Sequence, residues 1–111
     1  MNNNRLDSLL EILAENQTDA FVLFAIAKEY EGKGNVGEAL SYYLKLKDCN
    51  PDYVGLYYHL AALFIKLDQK DNALETYDLG ITLASRLGDH HAKAELLNAR
   101  QNLEFEWGLA M

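Results

Sequence analysis

The chain has 111 residues, of which 50% are hydrophobic and 24% are charged. This length and composition suit one domain with a modest apolar core and exclude a disordered or fibrous protein. The 17 acidic and 10 basic residues give a formal net charge of −7, which would repel a nucleic-acid backbone, and no basic patch overcomes that field.

The amino-terminal sequence, MNNNRLDSLLEIL, lacks the features of a targeting segment. It has no basic run followed by an apolar stretch of secretory length. No part of the chain approaches about 18 uninterrupted apolar residues. The single cysteine, Cys49, cannot form an internal disulfide, which agrees with a reducing compartment. We therefore expect a cytoplasmic protein that binds neither nucleic acid nor membrane.

The first predicted helix covers residues 5–16. Its Leu6 and Leu10 stand 34 residues before Leu40 and Leu44, a spacing that recurs later in the chain. We place the start of the helix in the NNN segment, because asparagine can cap a first turn, and the NQTD segment separates it from the next helix. The alignment indicates that this helix is half of a repeat.

Residues 20–53 and 54–87 are two copies of a 34-residue repeat. Four aligned positions are identical, and three more keep size and apolar character. The identical pairs are Ala27/Ala61, Ala39/Ala73, Leu40/Leu74 and Tyr43/Tyr77, and the similar pairs are Leu23/Tyr57, Ile26/Leu60 and Tyr30/Phe64.

Each copy contains two predicted helices. The first carries apolar residues at i, i+3, i+4 and i+7, which is the spacing of one face of an α-helix. The second helices are predicted over residues 36–49 and 71–86. The short segments EGKGN and LDQKD lie between the helices, and Gly34 tolerates the conformation of a turn. Each copy should therefore fold as a helical hairpin, in which small residues such as Gly80 let two backbones approach.

These residues resemble the signature of the tetratricopeptide repeat family, which is Trp-x2-Leu-Gly-x2-Tyr, then Ala-x3-Phe, then Pro. The first copy reads Leu23-x2-Ile26-Ala27-x2-Tyr30, Ala39-x3-Tyr43 and Pro51, and the second reads Tyr57-x2-Leu60-Ala61-x2-Phe64 and Ala73-x3-Tyr77, with Ser85 in the proline position. The resemblance implies an all-α fold: a short α-solenoid, or superhelix, of antiparallel helix pairs with about six helices. It also implies that the first helices line a concave face, where peptides or helices of partner proteins bind.

The last predicted helix, residues 89–107, departs from the repeat pattern. Gly88 indicates the end of the preceding helix and Asp89 the start of this one. One narrow apolar stripe runs along it: Ala92, Leu96, Ala99, Leu103 and Trp107. A narrow stripe with a polar back is typical of the capping helix of a repeat array. The whole chain, residues 1–111, is thus expected to form a single domain.

The sequence contains no pattern that indicates catalysis, a metal or a cofactor. Cys49 occupies a position that Leu83 fills in the second copy, which favours core packing over a reactive thiol. His59 has no serine or cysteine partner at a readable spacing. His90 and His91 point about 100° apart on a helix, so they cannot easily share a metal ion. An enzyme or a small metal-binding protein is therefore the remote alternative.

The candidate partner-binding residues lie on the first helices, opposite the packing stripes. On the first of these helices they are Phe21, Phe24 and Lys28, and on the second they are Tyr58, His59, Ala62, Ile65 and Lys66. A solvated face would carry mostly charge, whereas this one is apolar with lysines at its edge. We expect a concave apolar groove for a protein or peptide partner with apolar side chains and some acidic groups. Cover by neighbouring helices or termini, and self-association as a homodimer, are the alternatives.

One known mode of recognition in the family is disfavoured. Its chaperone-binding members hold a pair of terminal carboxylates with lysines and asparagines on successive first helices. The comparable faces here offer Phe24, Lys28, His59 and Lys93, without asparagines. The amide donors needed for a bidentate contact are therefore missing from the expected site.

Overall fold

The structure is a computed structural model that describes residues 4–108. Within that range it contains six α-helices and no strand, as the sequence predicts for an all-α fold. The helices are α1 (Asn4–Glu15), α2 (Ala20–Gly32), α3 (Val36–Cys49), α4 (Gly55–Lys66), α5 (Lys70–Leu87) and α6 (His90–Glu106). The cap expected in the NNN segment lies outside the described residues.

The chain divides into two compact units near the start of α4. The first unit ends at Leu56, and the second begins at Tyr57. The first contains α1, α2 and α3, and the second contains most of α4 together with α5 and α6. That residues 1–111 form a single domain stays a prediction.

The turns within the two repeats have the same backbone conformation. Gly34 has φ +78°, and Asp68, which stands 34 residues later, has φ +61°. The backbone N–H of the following residue, Asn35 in one turn and Gln69 in the other, donates a hydrogen bond to a carbonyl oxygen of the first helix of its repeat. The N···O distance is 2.9 Å in both turns. Aspartate is among the few residues besides glycine that enter the left-handed region readily. The turn is therefore kept in both repeats although the glycine is not.

The second helices of the two repeats end differently. Helix α3 stops at Cys49, two residues before Pro51, because the residue before a proline is driven out of the helical region. In the second repeat Ser85 replaces the proline, so α5 continues to Leu87 and ends at Gly88, which has φ +71°.

The prediction that Cys49 packs in the core is wrong. Cys49 is exposed, whereas its counterpart Leu83 is buried. The reason is the early end of α3, which makes Cys49 the last residue of its helix. Leu83 lies more than a full turn inside α5, where the chain on both sides of it remains helical.

The core of the first unit is formed by all three of its helices. Its buried side chains include Leu6, Leu9 and Leu13 of α1, Leu23 and Ile26 of α2, and Tyr43 and Leu46 of α3. The Tyr43 hydroxyl donates a hydrogen bond of 2.8 Å to Glu31. Burial, followed by this contact with a carboxylate, raises the pKa of Tyr43 well above its usual value.

The core of the second unit centres on Gly80 of α5. A Cβ atom at Gly80 would stand 2.7 Å from Tyr57 Cβ in α4 and 3.0 Å from Leu96 Cδ1 in α6. Three helices therefore meet at a residue that has no side chain. Leu96 and Leu103 of α6 are only 1% and 2% exposed, so the apolar stripe of the last helix packs in this unit as expected.

Candidate partner-binding surfaces

The first unit presents one exposed aromatic residue on α2. Phe21 is 67% exposed, and Lys28 on the same helix is also exposed. Phe24 is half-buried, because its ring lies 5.5 Å from that of Tyr53 and 6.1 Å from that of Tyr43. Phe21 is thus the more accessible of the two phenylalanines, while Phe24 also helps to hold the unit together.

In the second unit the predicted residues lie on α4. Tyr58 is 42% exposed. Its ring packs edge to face against the imidazole of His59, with the ring centroids 5.7 Å apart. His59, Ala62 and Ile65 are half-buried, and Lys66 is exposed. Tyr58 is the largest side chain that this helix presents to solvent within the second unit.

A groove that is open to solvent runs between α4 and α6 in the second unit and has a volume of about 330 Å³. Its apolar lining comes from Tyr58 and Ile65 on α4 and from Ala99 and Leu103 on α6. Because Leu103 is almost fully buried while Tyr58 is not, the apolar surface reaches from the core to the solvent at this point. Two of the residues predicted from the sequence, Tyr58 and Ile65, are therefore brought together in one concave feature.

The polar lining of the groove comes from α6 alone. Glu95, Asn98, Asn102 and Glu106 contribute to it, and all four are exposed. Their spacing of three or four residues places them along one face of the helix. From the sequence, Glu95, Asn98 and Glu106 were expected on the polar back of a capping helix. Their helical spacing was visible, but the sequence did not show that this face of α6 lies beside α4.

The electrostatic character of the groove follows from two carboxylates. Glu95 stands 3.5 Å from the Nε2 atom of His91, which is charged only when protonated. Glu106 lies near enough to Tyr77 to add to the rise in its pKa, which is caused mainly by burial and further by Tyr58.

Helix α6 carries two asparagines that could supply the amide donors of a carboxylate site. Asn98 and Asn102 line the groove beside Tyr58, so the argument that amide donors are absent is wrong for the second unit. The sequence-based argument against a carboxylate ligand had taken only Lys93 from α6. The same wall carries Glu95 and Glu106, however, and their charge would repel a terminal carboxylate. Charge, and not the lack of amides, is what disfavours such a ligand at this groove.

The residues considered for catalysis or metal binding do not form a cluster. In the described part of the chain, no group of three or more histidine, cysteine, aspartate or glutamate side chains is placed to hold a metal ion. His90 and His91 are both exposed, and Cys49 lies in the other unit. None of the helices in residues 4–108 has both the length and the apolar character needed to cross a membrane.

Comparison with known proteins identifies the repeats. The sequence profile of the tetratricopeptide repeat family matches residues 22–53 and 54–87. A tetratricopeptide repeat domain protein from Salinibacter ruber is 38% identical over 78% of this chain. Its solution structure, of which 87% is covered, superposes with a TM-score of 0.75, and its crystal structure, of which 96% is covered, with 0.74.

A more distant relationship extends over nearly the whole chain. The solution structure of a protein from Bordetella parapertussis superposes with a TM-score of 0.81. The two sequences are 21% identical, and the match covers 96% of this chain and 91% of the other protein's chain. At that identity the likeness concerns the fold alone. A search of curated proteins found no match. With two matched repeats and a relative at 38% identity, the chain belongs to the tetratricopeptide repeat family.

Proposed function

We propose that this protein is an adaptor that binds a peptide or a helix of a partner protein through the exposed faces of α2 and α4. Tetratricopeptide repeats are in general protein–protein interaction modules. The observation that carries the finer proposal is Tyr58, which is 42% exposed at the edge of a concave, partly apolar groove. The groove combines apolar side chains with polar groups that could orient a ligand, although its lining is more polar than that of a usual small-molecule site.

The residues proposed for partner contact are those predicted from the sequence. In the second unit they are Tyr58, His59, Ala62, Ile65 and Lys66, and in the first unit they are Phe21, Phe24 and Lys28. Exposed aromatic residues are the common energetic anchors of interfaces, because they bury a large area at a small cost in conformational entropy. Phe21 and Tyr58 meet this description, since Phe21 is largely exposed and Tyr58 is partly exposed.

The test begins with a selection that assumes no partner. A library of random peptides displayed on phage is panned against the wild-type chain, and the selected peptides are titrated against single variants. Tyr58→Ala and Phe21→Ala should each weaken a peptide that contacts the substituted ring by about 2 kcal/mol or more. Circular dichroism should show that both variants remain folded, because neither side chain belongs to a core.

The matched control is Phe105→Ala. Phe105 is 82% exposed on α6 and does not line the groove, so its loss should leave binding unchanged. The proposal fails if no peptide is selected, or if the selected peptides depend on Phe105 and not on Phe21 or Tyr58. A mass that grows with concentration in sedimentation, and returns to that of a monomer in Phe105→Ala, would favour self-association instead.

A further inference from the structure

We infer that the α4–α6 groove is shaped for a basic, extended segment of a partner that carries two cationic side chains with an apolar side chain between them. The inference rests on the proposed function and adds the chemistry of the occupant. It follows from the order of groups along α6, in which carboxylates stand at the two ends of the groove and amides stand between them.

The charge of the groove favours a cationic occupant. Within residues 57–108, the groove lining includes Glu95 and Glu106 and no lysine or arginine. Arg100, on the same helix, bonds to Asp78 at 2.7 Å and to Glu104 at 2.7 Å, and it does not contribute to the lining. The net charge of −7 for the whole chain acts in the same direction over longer distances.

The spacing of the two carboxylates sets the spacing expected of the cations. Glu95 and Glu106 are separated by eleven residues, which corresponds to about 17 Å along an α-helix. An extended chain covers that distance in about five residues. Because successive side chains of an extended chain point to opposite faces, lysine or arginine residues about four or six apart point to the same side, and their long side chains could reach both carboxylates at once.

The amides between the carboxylates favour an extended occupant over a helical one. Asn98 and Asn102 are one turn apart, and each side chain offers both a donor and an acceptor. An extended peptide presents unpaired backbone N–H and C=O groups to such amides, whereas a helix has already paired its own. The apolar lining at Ile65 and Leu103 then accepts a side chain from the middle of the segment.

The sequence alone suggested a partner with acidic groups, on the basis of Lys28, His59 and Lys66. The structure adds the α6 wall, and the residues that line the cavity include none of these three. An anionic segment could approach the lysines, but in the groove it would meet Glu95 and Glu106 at close range. The two expectations therefore differ in the sign of charge that selected peptides should carry.

The experiment pans the same phage library against three proteins in parallel: the wild type, the Glu95→Gln/Glu106→Gln double variant, and a Glu75→Gln control. Glu75 is an exposed acid of α5 in the same unit that does not line the groove. Peptides selected by the wild type and by Glu75→Gln should be enriched in lysine and arginine at an even separation of about four or six residues. The double variant should lose that enrichment and still select apolar residues.

Titrations of one synthetic wild-type-selected peptide then give the size of the effect. Each Glu→Gln substitution should weaken binding by about two- to fivefold at low salt, as expected for a solvent-exposed ion pair, and the loss should shrink as salt rises. Glu75→Gln should change the affinity by less than either Glu95→Gln or Glu106→Gln does. Replacing the two cationic residues of the peptide by glutamine should make the wild type and the double variant bind equally.

The outcomes separate this inference from the proposed function. If peptides bind in a Tyr58-dependent way but are neutral or acidic, or bind the double variant as tightly as the wild type, the inference is overturned and the proposed function stands. If no Tyr58-dependent peptide is selected, the binding role of the groove fails and the inference fails with it. Basic peptides that lose affinity in Tyr58→Ala and in both glutamate variants support the two together.

Discussion

Replacing Gly80 by alanine should destabilise the second unit, although the same change usually strengthens a helix. The added Cβ would lie 2.7 Å from Tyr57 Cβ and 3.0 Å from Leu96 Cδ1. Carbon atoms in favourable contact are separated by about 3.5 to 4.0 Å. The Tyr57 atom is the root of its side chain, so a change of rotamer cannot relieve the contact. Helix α4 or α5 would have to move.

Two opposing terms set the magnitude. Overpacking a core typically costs about 1 to 3 kcal/mol, whereas glycine to alanine within a helix gains about 1 kcal/mol. The separation of 2.7 Å is far inside the normal range, so we expect a steric cost at the upper end of typical overpacking, about 2 to 3 kcal/mol. The net loss should be roughly 1 to 2 kcal/mol, or a decrease in Tm of roughly 4 °C or more.

A second glycine isolates the steric term. Gly37 lies in α3, and a Cβ atom there would meet no atom within 4 Å. Gly37 is the second residue of α3, so Gly37→Ala should raise stability through helix propensity alone, by up to about 1 kcal/mol, which is the full gain in a helix interior. Urea unfolding followed by circular dichroism gives the free energy of unfolding of both variants. The difference between them should be about 1 to 3 kcal/mol, which is the cost of the contact at Gly80.

The reasoning is refuted if the two glycine variants change stability by the same amount and in the same direction. That result would mean that α4, α5 and α6 do not meet at Gly80. The alignment of the two repeats, which pairs Gly80 with Leu46 in the first repeat, would then lose its structural meaning.

Two further predictions concern stability. Leu96→Ala should cost about 2 to 5 kcal/mol in urea unfolding, because Leu96 is 1% exposed, whereas Leu97→Ala should cost little, because Leu97 is 39% exposed; equal losses would show that α6 does not pack as described. Tyr43→Phe should cost about 1 kcal/mol near neutral pH, through the lost hydrogen bond to Glu31. The raised pKa of Tyr43 means that its stabilising contribution is complete below about pH 10 and declines at higher pH, where the unfolded phenol ionises first. Stability measured from pH 8 to 11 should therefore fall less steeply in Tyr43→Phe than in the wild type, and parallel curves would contradict this assignment.

The sequence predicted the repeat and its turns because both depend on local physics. A spacing of 34 residues relates Gly34 to Asp68, and the two share a positive φ although their side chains differ. The apolar stripe of α6 likewise predicted the burial of Leu96 and Leu103. In each case the evidence lies within one helix or one turn, where periodicity and backbone preference decide the outcome.

Cys49 shows where alignment between repeats stops being informative. Its position matches that of Leu83, but the two helices differ in length, since α3 has 14 residues and α5 has 18. The difference follows from Pro51, which the second repeat replaces with Ser85. A single backbone constraint therefore changes the environment of a side chain that the repeat pattern had placed in the core.

The polar wall of the groove was missed for a different reason. Asn98 and Asn102 stand on the polar side of an amphipathic helix, and polarity alone cannot distinguish a surface that faces bulk water from one that lines a concave site. The distinction depends on α4, whose Tyr58 and Ile65 face the same cavity. An interaction module has to keep its recognition groups solvated until the partner arrives, so they look like ordinary surface in the sequence. The proposed anchor Tyr58 was predictable because exposed aromatic residues are unusual on a solvated face. The polar wall of α6 could be placed at the groove only from the structure, in which α4 and α6 line the same cavity.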